Sequence, residues 1–187
     1  MIRRPIPFTP SPKLAFIPKF QFPLGQMARF AAIAWCLSLQ LDAATAAEDE
    51  ATIRRIVAEQ VTAWDAGDGQ GYARRFAPEG AFTNLFGMVM YGHAAFEKRH
   101  TQILVTFYKG TTKQHVVRRL RFVTPDVAIV DIDNEVHGVK SMPAGIAVPP
   151  DGVVKTQLME VFVRHDGQWW IEAYHNVDVK PSAQAQK

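Results

Sequence analysis

The chain has 187 residues, of which 48% are hydrophobic and 21% are charged. That length fits one ordinary domain with an appendage, and the composition excludes wholesale disorder and fibrous architectures. The formal net charge of +3 originates near the amino terminus, because residues 47–187 carry 16 basic and 17 acidic side chains, a net charge of −1. A near-neutral domain lacks the phosphate-neutralising surface that nucleic acids require, so no nucleic-acid partner is expected.

The first 46 residues are predicted to be a leader. Residues 1–26 hold six of the 12 prolines and show no periodicity, so they are expected to be a disordered or membrane-associating arm, or to precede a true start at Met27. Residues 30–39 are an apolar stretch that follows Arg29 and precedes small residues ending at Ala46. This layout is typical of a signal peptide at 27–46. A buried helix of the domain is the alternative.

Export predicts a secreted or periplasmic protein with no stable membrane span after cleavage following Ala46. The only cysteine, Cys36, lies inside the signal, so the mature domain cannot form a disulfide. The domain is predicted to occupy residues 47–180, and residues 181–187 form a tail.

Helices are predicted first in the mature domain. From Glu48 the apolar residues recur at helical spacing, which indicates an amphipathic helix that ends at Gly67. Its apolar face comprises Ile53, Ile56, Val57, Val61 and Trp64. Asp68 is predicted to cap a short second helix that runs through Phe76 and ends by Gly80.

A short strand and a third helix follow. Residues 81–87, AFTNLFG, predict a strand that enters a turn, and residues 88–91 are the expected pairing partner. After Gly92 the pattern becomes helical again. His100 falls on the same face as Phe96 and other apolar residues, so it is expected to point into the protein.

The remainder of the chain is predicted to be β-structure. Separators rich in proline, glycine and aspartate divide it into four apolar, β-branched runs. The predicted strands are 113–123, 127–139, 153–165 and 168–179. Asp166-Gly167, between the last two, favours a type I′ hairpin because this dipeptide tolerates positive φ angles. Helices followed by an antiparallel meander indicate an α+β fold rather than a doubly wound parallel sheet.

The strand at 153–165 has apolar side chains in both phases. Leu158 and Phe162 occupy one phase, and Met159 and Val161 occupy the other. Helices can cover only one face of such a sheet. We therefore expect the second face to pack against another copy of the chain in a homodimer.

The order helix, helix, strand, helix and long antiparallel meander resembles the nuclear transport factor 2-like superfamily. With the segments AFTNLFG, GHAAFEKRH and DGQWWIEAYHN, the chain is similar to the SgcJ/EcaC group of SnoaL-like domains, relatives of ketosteroid isomerase, over residues 48–179. The resemblance implies a cystatin-like cone in which three amino-side helices pack on a strongly curved antiparallel sheet around a mostly apolar pocket.

Several activities occur on this fold, so the resemblance alone does not fix one. It implies either an isomerase, cyclase or dehydratase that needs no cofactor, or a non-catalytic binding or assembly module. The implied ligand is a small apolar molecule of polyketide or steroid type. Ketosteroid isomerase uses a carboxylate base with a tyrosine and a protonated acid, and the spacing here assigns that set to no particular residues.

His100 is the first candidate for a catalytic residue. A neutral imidazole on an apolar helix face can transfer protons near physiological pH or hydrogen-bond a ligand. The resemblance favours this role because the family pattern carries a histidine at this spacing from Gly92. The alternative is a core histidine satisfied by a backbone carbonyl.

Asn84, Asn176 and His175 are candidate ligand-binding residues. A carboxamide can orient a carbonyl or hydroxyl group in an apolar pocket, or it can simply join strand ends. His175 and Asn176 are adjacent, so they face opposite sides of the last strand unless a bulge intervenes. Alternation favours His175, the resemblance favours Asn176, and both stay open. Trp64 and Met159, two large side chains expected in the cone, are also candidate ligand-binding residues.

One phase of the strand at 127–139 is polar, and Asp133 is its candidate general base. The polar phase comprises Asp131, Asp133, Glu135 and His137. The alternative is a solvated face with cross-strand ion pairs to Arg118, Arg119 or Arg121. The six histidines lack metal-ligand spacing, and the sequence contains no phosphate loop, nucleophile elbow or dinucleotide fingerprint, so neither a metal nor a cofactor is expected.

Overall fold

The structure is a computed structural model that describes the backbone of residues 24–180 and the side chains of residues 45–180. Predictions on residues 1–23 and on the tail at 181–187 therefore lie outside the described residues. The chain divides into two units, Met1–Asp42 and Ala43–Lys187, and the second is described by itself below. Within the described residues, no helix has the length and hydropathy of a membrane span.

Within residues 24–180, helices precede most of the strands, as expected for an α+β chain. The elements are α1 (Leu24–Asp65), α2 (Gly69–Ala73), β1 (Phe76–Thr83), β2 (Val89–Tyr91), α3 (His93–Val105), β3 (Thr112–Thr124), β4 (Val127–His137), β5 (Val153–His165) and β6 (Gln168–Asp178). The strands form one curved sheet in the order β2-β1-β6-β5-β4-β3. Neighbours are antiparallel except β1 and β6, which are parallel.

The predicted apolar face of α1 packs into the core. Four of its five residues are buried and Val61 is half-buried, as the helical spacing requires. The described α1 is longer than the predicted helix, because its backbone continues amino-terminally to Leu24 through the predicted cleavage region.

The Asp49 carboxylate fastens α1 to the sheet. It accepts hydrogen bonds from Arg164 Nη1 at 2.9 and 3.0 Å and from Trp169 Nε1 at 2.9 Å. Arg164 also pairs with Asp126 between β3 and β4, at 2.8 Å. This clamp lies on the carboxyl side of Ala46, so it belongs entirely to the predicted mature domain.

The second helix is shorter than predicted. Asp68 caps it as expected, since its Oδ1 accepts from Gly71 N at 2.8 Å, but the helix ends at Ala73. The expectation that it runs through Phe76 is wrong, because Phe76 begins β1 and pairs with Ile171 of β6. Strand pairing with a segment far along the chain outweighs the local helical pattern.

The four predicted strands of the meander are confirmed to within two residues at each end. Asp166 and Gly167 have φ angles of 50° and 73°, which confirms the left-handed turn expected between β5 and β6. β2 returns antiparallel to β1 through Thr83 and Val89, as predicted from the AFTNLFG turn.

A β-bulge changes the phase of β6. Val161 pairs with Ala173 and Phe162 pairs with Ile171, so Glu172 is an extra residue on β6. Ile171 is buried before the bulge and Tyr174 is buried after it. An extra residue shifts the alternation of a strand by one position, so even-numbered residues face the core beyond Glu172.

Candidate functional site

A cavity of about 50 Å³ lies between the inner face of the sheet and helices α1 and α3. Such a volume holds a few waters or the head group of a ligand, and is small beside a drug-sized pocket. Its polar wall residues are Asn84, Arg99, His100, Lys113, Asn134, Thr156, Tyr174 and Asn176. Its apolar wall residues are Trp64, Phe82, Leu85, Phe86, Ile103, Tyr108, Val136 and Val154.

His100 projects into this cavity wall from the middle of α3. Its Nδ1 lies 2.9 Å from the carbonyl oxygen of Phe96, so a neutral ring donates there and keeps a lone pair on Nε2. The ring stacks on Tyr72 with centroids 4.5 Å apart. Burial, opposed by the Phe96 hydrogen bond and reinforced by Lys113, lowers the pKa of His100 to about 3. His100 is therefore neutral at physiological pH.

Two carboxamides, those of Asn84 and Asn176, line the cavity. Asn84 Oδ1 accepts from the backbone N–H groups of Phe86 and Met88, each at 2.9 Å, so this oxygen holds the β1–β2 turn and Nδ2 remains for a ligand. Asn176 Oδ1 is buried with no hydrogen-bond partner among the described residues. An unpaired buried oxygen is costly unless something binds to it.

Lys113, on β3, brings a cation to the cavity wall. Its Nζ donates to Tyr72 Oη at 3.0 Å and lies 4.0 Å from the centroid of the Trp64 ring. The Tyr72 and Tyr174 hydroxyls are 3.0 Å apart. The ammonium group of Lys113 and the two tyrosine hydroxyls therefore form one hydrogen-bonded series. Burial lowers the pKa of Lys113 to about 7, against the attraction of Glu160 and Asp65.

Glu160, on β5, is a buried acid that acts electrostatically on Lys113 and the two tyrosines. Its Oε1 accepts from Gln60 Nε2 at 2.9 Å, whereas Oε2 has no hydrogen-bond partner among the described residues. Burial raises the pKa of Glu160 to about 7, opposed by the Gln60 hydrogen bond and by Lys113. Glu160 and Lys113 thus form a coupled pair in a region of low dielectric constant.

Solved structures share this architecture. An uncharacterised protein with a cystatin-like fold from Caulobacter vibrioides is 24% identical with a TM-score of 0.67, over 75% of this chain and 96% of that one. A putative scytalone dehydratase from Novosphingobium aromaticivorans is 19% identical with a TM-score of 0.62, over 74% and 89%. A hexachlorocyclohexane dehydrochlorinase, LinA type 2, is 16% identical with a TM-score of 0.61, over 73% and 88%.

The domain has the cystatin-like fold of nuclear transport factor 2-like proteins. This confirms the fold expected from the resemblance. No protein-family model and no curated protein matches the sequence. Assignment to the SgcJ/EcaC group stays a prediction.

The cystatin-like cone brings together four of the residues singled out in the sequence. His100, Asn84, Asn176 and Trp64 all line the cavity. The bulge at Glu172 places Asn176 on the inner face, as the resemblance favoured.

Three other candidates lie on the outer face of the sheet, away from the cavity. Asp133 pairs with Arg118 and accepts from Gln157 Nε2 at 2.8 Å, so the ion-pair alternative describes its surroundings. Met159 and His175 are exposed and line an outer groove. The expectation that these residues reach the cone is corrected. Strand alternation directs Asp133 and Met159 outward, and the bulge at Glu172 directs His175 outward.

Sequence reasoning missed the polar groups deepest in the cone. Glu160 shares a strand phase with Leu158 and Phe162, and Asn134 shares one with Ile132. Strand alternation could have identified both residues, because a polar residue that shares a phase with apolar residues faces the core. Asn134 Nδ2 donates to Thr156 Oγ1 at 2.6 Å, which ties β4 to β5 at the cavity wall.

Because His100 is buried, the folded domain should become less stable as the pH falls. The folded pKa is about 3 and the unfolded one about 6.5, so between these values the unfolded state binds a proton that the folded state does not. The contribution of His100 to the free energy of unfolding is therefore complete above about pH 6.5, and it falls by about 1.4 kcal/mol for each pH unit below that value. We expect His100→Gln to remove about 1.4 kcal/mol per pH unit from the pH dependence of the free energy of unfolding. Urea denaturation at pH 7, 6 and 5 measures this dependence.

The difference between variant and wild type isolates His100 from the other buried groups. Burial also lowers the pKa of His115, which adds to the loss in acid, whereas Glu160 acts in the opposite direction. His175→Gln, at an exposed position, is the matched control and should leave the slope unchanged. An unchanged slope in His100→Gln would show that this ring protonates without unfolding the cone.

Proposed function

We propose that the chain is exported and that its cystatin-like domain binds a small, largely apolar molecule in the cone, with acid–base chemistry of an isomerase, cyclase or dehydratase through His100. The observation that carries the proposal is the wall of the cavity. There His100 keeps Nε2 available because Nδ1 is held by Phe96 O, and Asn176 Oδ1 is buried without a hydrogen-bond partner among the described residues. Apolar walls with a few unpaired polar groups are typical of ligand sites.

The geometry supports a definite role for His100. A neutral ring with Nδ1 held by Phe96 presents Nε2 as an acceptor to a substrate hydroxyl or to an acidic C–H group. Its low pKa makes it a weak base in the empty cone, and negative charge developing on a substrate would stabilise the imidazolium. Two solved structures of this fold are named for elimination reactions, a dehydratase and a dehydrochlorinase. Among isomerase, cyclase and dehydratase chemistry, these names favour the dehydratase, which is a lyase.

Export rests on the predicted signal at 27–46, and a secreted or periplasmic location follows from it. Amino-terminal sequencing of the protein from its source tests the cleavage point.

A non-catalytic binding or assembly module is the second candidate. The observation that favours it is the small cavity volume of about 50 Å³, which has the Trp64 and Tyr108 rings among its walls. A site of that size must open before a whole steroid-sized ligand can enter.

Native mass spectrometry of protein purified from its source tests ligand binding. We expect a retained small molecule and, in a thermal-shift panel of ring compounds with a carbonyl or hydroxyl group, stabilisation of several degrees by the best ligands. Asn176→Leu should abolish the shift because it removes the polar anchor. His100→Gln should keep binding and lose turnover of any compound that the wild type converts.

His175→Leu is the matched control for Asn176→Leu, because the two positions are adjacent and face opposite sides of β6. It should leave every thermal shift unchanged. Absence of a retained ligand together with no shift from any compound would favour the assembly module instead.

We also propose that the outer face of the sheet pairs with a second copy of the chain. This face carries a groove of about 490 Å³ whose apolar wall residues include Met159, Val161, Ala173 and Val177, and whose polar wall residues are Asp131, Gln157 and His175. Met159 is 44% and Val177 52% exposed, and an apolar sheet face of this kind is normally covered. Self-pairing of one patch is the commonest solution among soluble proteins.

Met159→Lys should convert the dimer to a monomer. A charge at the centre of the apolar patch must lose its water when two copies meet, which costs several kcal/mol at each of two symmetric positions. Light scattering after gel filtration reads the mass directly. Val105→Lys, at an exposed apolar position on α3, is the control and should stay dimeric; a monomeric wild type would overturn the pairing.

A further inference from the structure

The inner cavity presents positive charge and no carboxylate. Lys113 and Arg99 are the cationic residues of its wall, and no Asp or Glu lies among its described lining residues. Lys113 is buried, and Tyr72 accepts one of the three hydrogen bonds that its ammonium group can donate. No carboxylate of residues 45–180 forms an ion pair with Arg99. The Arg99 guanidinium and the ammonium form of Lys113 favour an anion in this cavity.

A larger cavity of about 570 Å³ adjoins the inner one. Leu85, Phe86 and Val154 line both cavities, so these three side chains form the boundary between them. Most other walls of the outer cavity are apolar and come from the loop at 141–152 and the end of β6. Its charged wall residues are two acids and two lysines, which balance each other. The outer cavity thus suits an uncharged, apolar group.

We propose that the two cavities form one elongated site for a monocarboxylate with an apolar body. The carboxylate enters the inner cavity and binds Lys113 and Arg99, while the body lies in the outer cavity beneath the loop at 141–152. The volumes support this division, because about 50 Å³ accommodates one carboxylate and about 570 Å³ accommodates an apolar chain or ring. The inference rests on the proposed function that the cone binds a small molecule, and it names the ligand's chemistry.

The remaining polar groups of the wall fit a carboxylate. The Asn84 oxygen holds the turn, and its Nδ2 donates to no acceptor among the described residues. Asn176 can turn its carboxamide by rotation about the last side-chain bond and present Nδ2 in place of its unpaired oxygen. Glu160 shares Lys113 with the ligand, and its raised pKa allows it to take up a proton when the ligand binds.

Isothermal titration calorimetry of the full chain tests the proposal with three probes, octanoate, methyl octanoate and octanol. We expect octanoate to bind at least about tenfold more tightly than its ester, since only the acid is charged. Arg99→Gln should reduce this preference about threefold or more, and Lys113→Met combined with Glu160→Gln should abolish it. Octanol should bind all variants alike. Lys109→Met, at an exposed position, is the control and should keep the full preference.

The outcomes separate this inference from the proposed function. Equal binding of the three probes overturns the anionic head group and leaves small-molecule binding intact, because the neutral probes still bind. An octanoate preference that survives both cavity variants also overturns it, since the anion would then bind elsewhere. If no probe binds, the inference is lost, and the thermal-shift panel with Asn176→Leu decides the broader function on its own. Arg99→Gln, at a half-buried position, keeps the test valid if the double variant does not fold.

Discussion

Lys113→Met should lower the free energy of unfolding by about 1–3 kcal/mol at pH 8, because it removes the hydrogen bond to Tyr72 Oη and the attraction that opposes the raised pKa of the buried Glu160 carboxyl. Glu160 escapes part of this cost by binding a proton. Its folded pKa, already raised to about 7, rises further without Lys113, so the folded variant binds more protons than the unfolded one over a wider range. Stability then falls as pH rises, and the loss at pH 5 should be much smaller than at pH 8.

A double-mutant cycle identifies the pair as the cause. Glu160→Gln removes the charge and keeps a partner for Gln60, so Lys113→Met combined with Glu160→Gln should return to wild-type stability or exceed it. Lys109→Met, at an exposed position, should change stability by no more than about 0.5 kcal/mol. Urea denaturation at both pH values gives all four free energies. A Lys113→Met variant as stable as the wild type at pH 8 would contradict the coupling.

Phe96→Ala should cost about 3–5 kcal/mol, the range of a large aromatic deletion in a packed core. Phe96 is fully buried and stacks on Phe76 with centroids 3.9 Å apart and planes 3° from parallel. Its ring also lies 4.1 Å from that of His100. Truncation therefore opens space beside the site while the backbone carbonyl that holds His100 Nδ1 remains.

The measurement for Phe96→Ala is the unfolding midpoint in urea with its slope. Tyr91→Ala removes an aromatic ring that is 72% exposed, and it should change stability by no more than about 0.5 kcal/mol. A loss below about 1 kcal/mol for Phe96→Ala would mean that the aromatic cluster relaxes to fill the space.

The fold was largely predictable because its elements follow local rules. Helical spacing placed His100 beside Phe96, and the Asp166-Gly167 pair located the last hairpin. The end of α2 was not predictable, since Phe76 joins β1 only through pairing with Ile171, which lies 95 positions further along the chain. Local propensity cannot weigh such a contact.

The site was predictable in part. Trp64 and His100 follow from helix periodicity, whereas the choice between His175 and Asn176 required the bulge at Glu172, which the sequence does not mark with a glycine or proline. The chemistry of the cone was less accessible still. Glu160 and Lys113 influence each other's pKa, and the two lie on strands that are not neighbours in the sheet.

The bulge at Glu172 decides which side chains of β6 reach the cavity. If Glu172 entered the ladder, strict alternation along β6 would exchange the two faces beyond it, bringing His175 inward and Asn176 outward. Such a slip of one residue would replace a carboxamide at the cavity with an imidazole and change the outer groove at the same time. One position of register on β6 therefore sets both the chemistry of the cavity and the composition of the outer face.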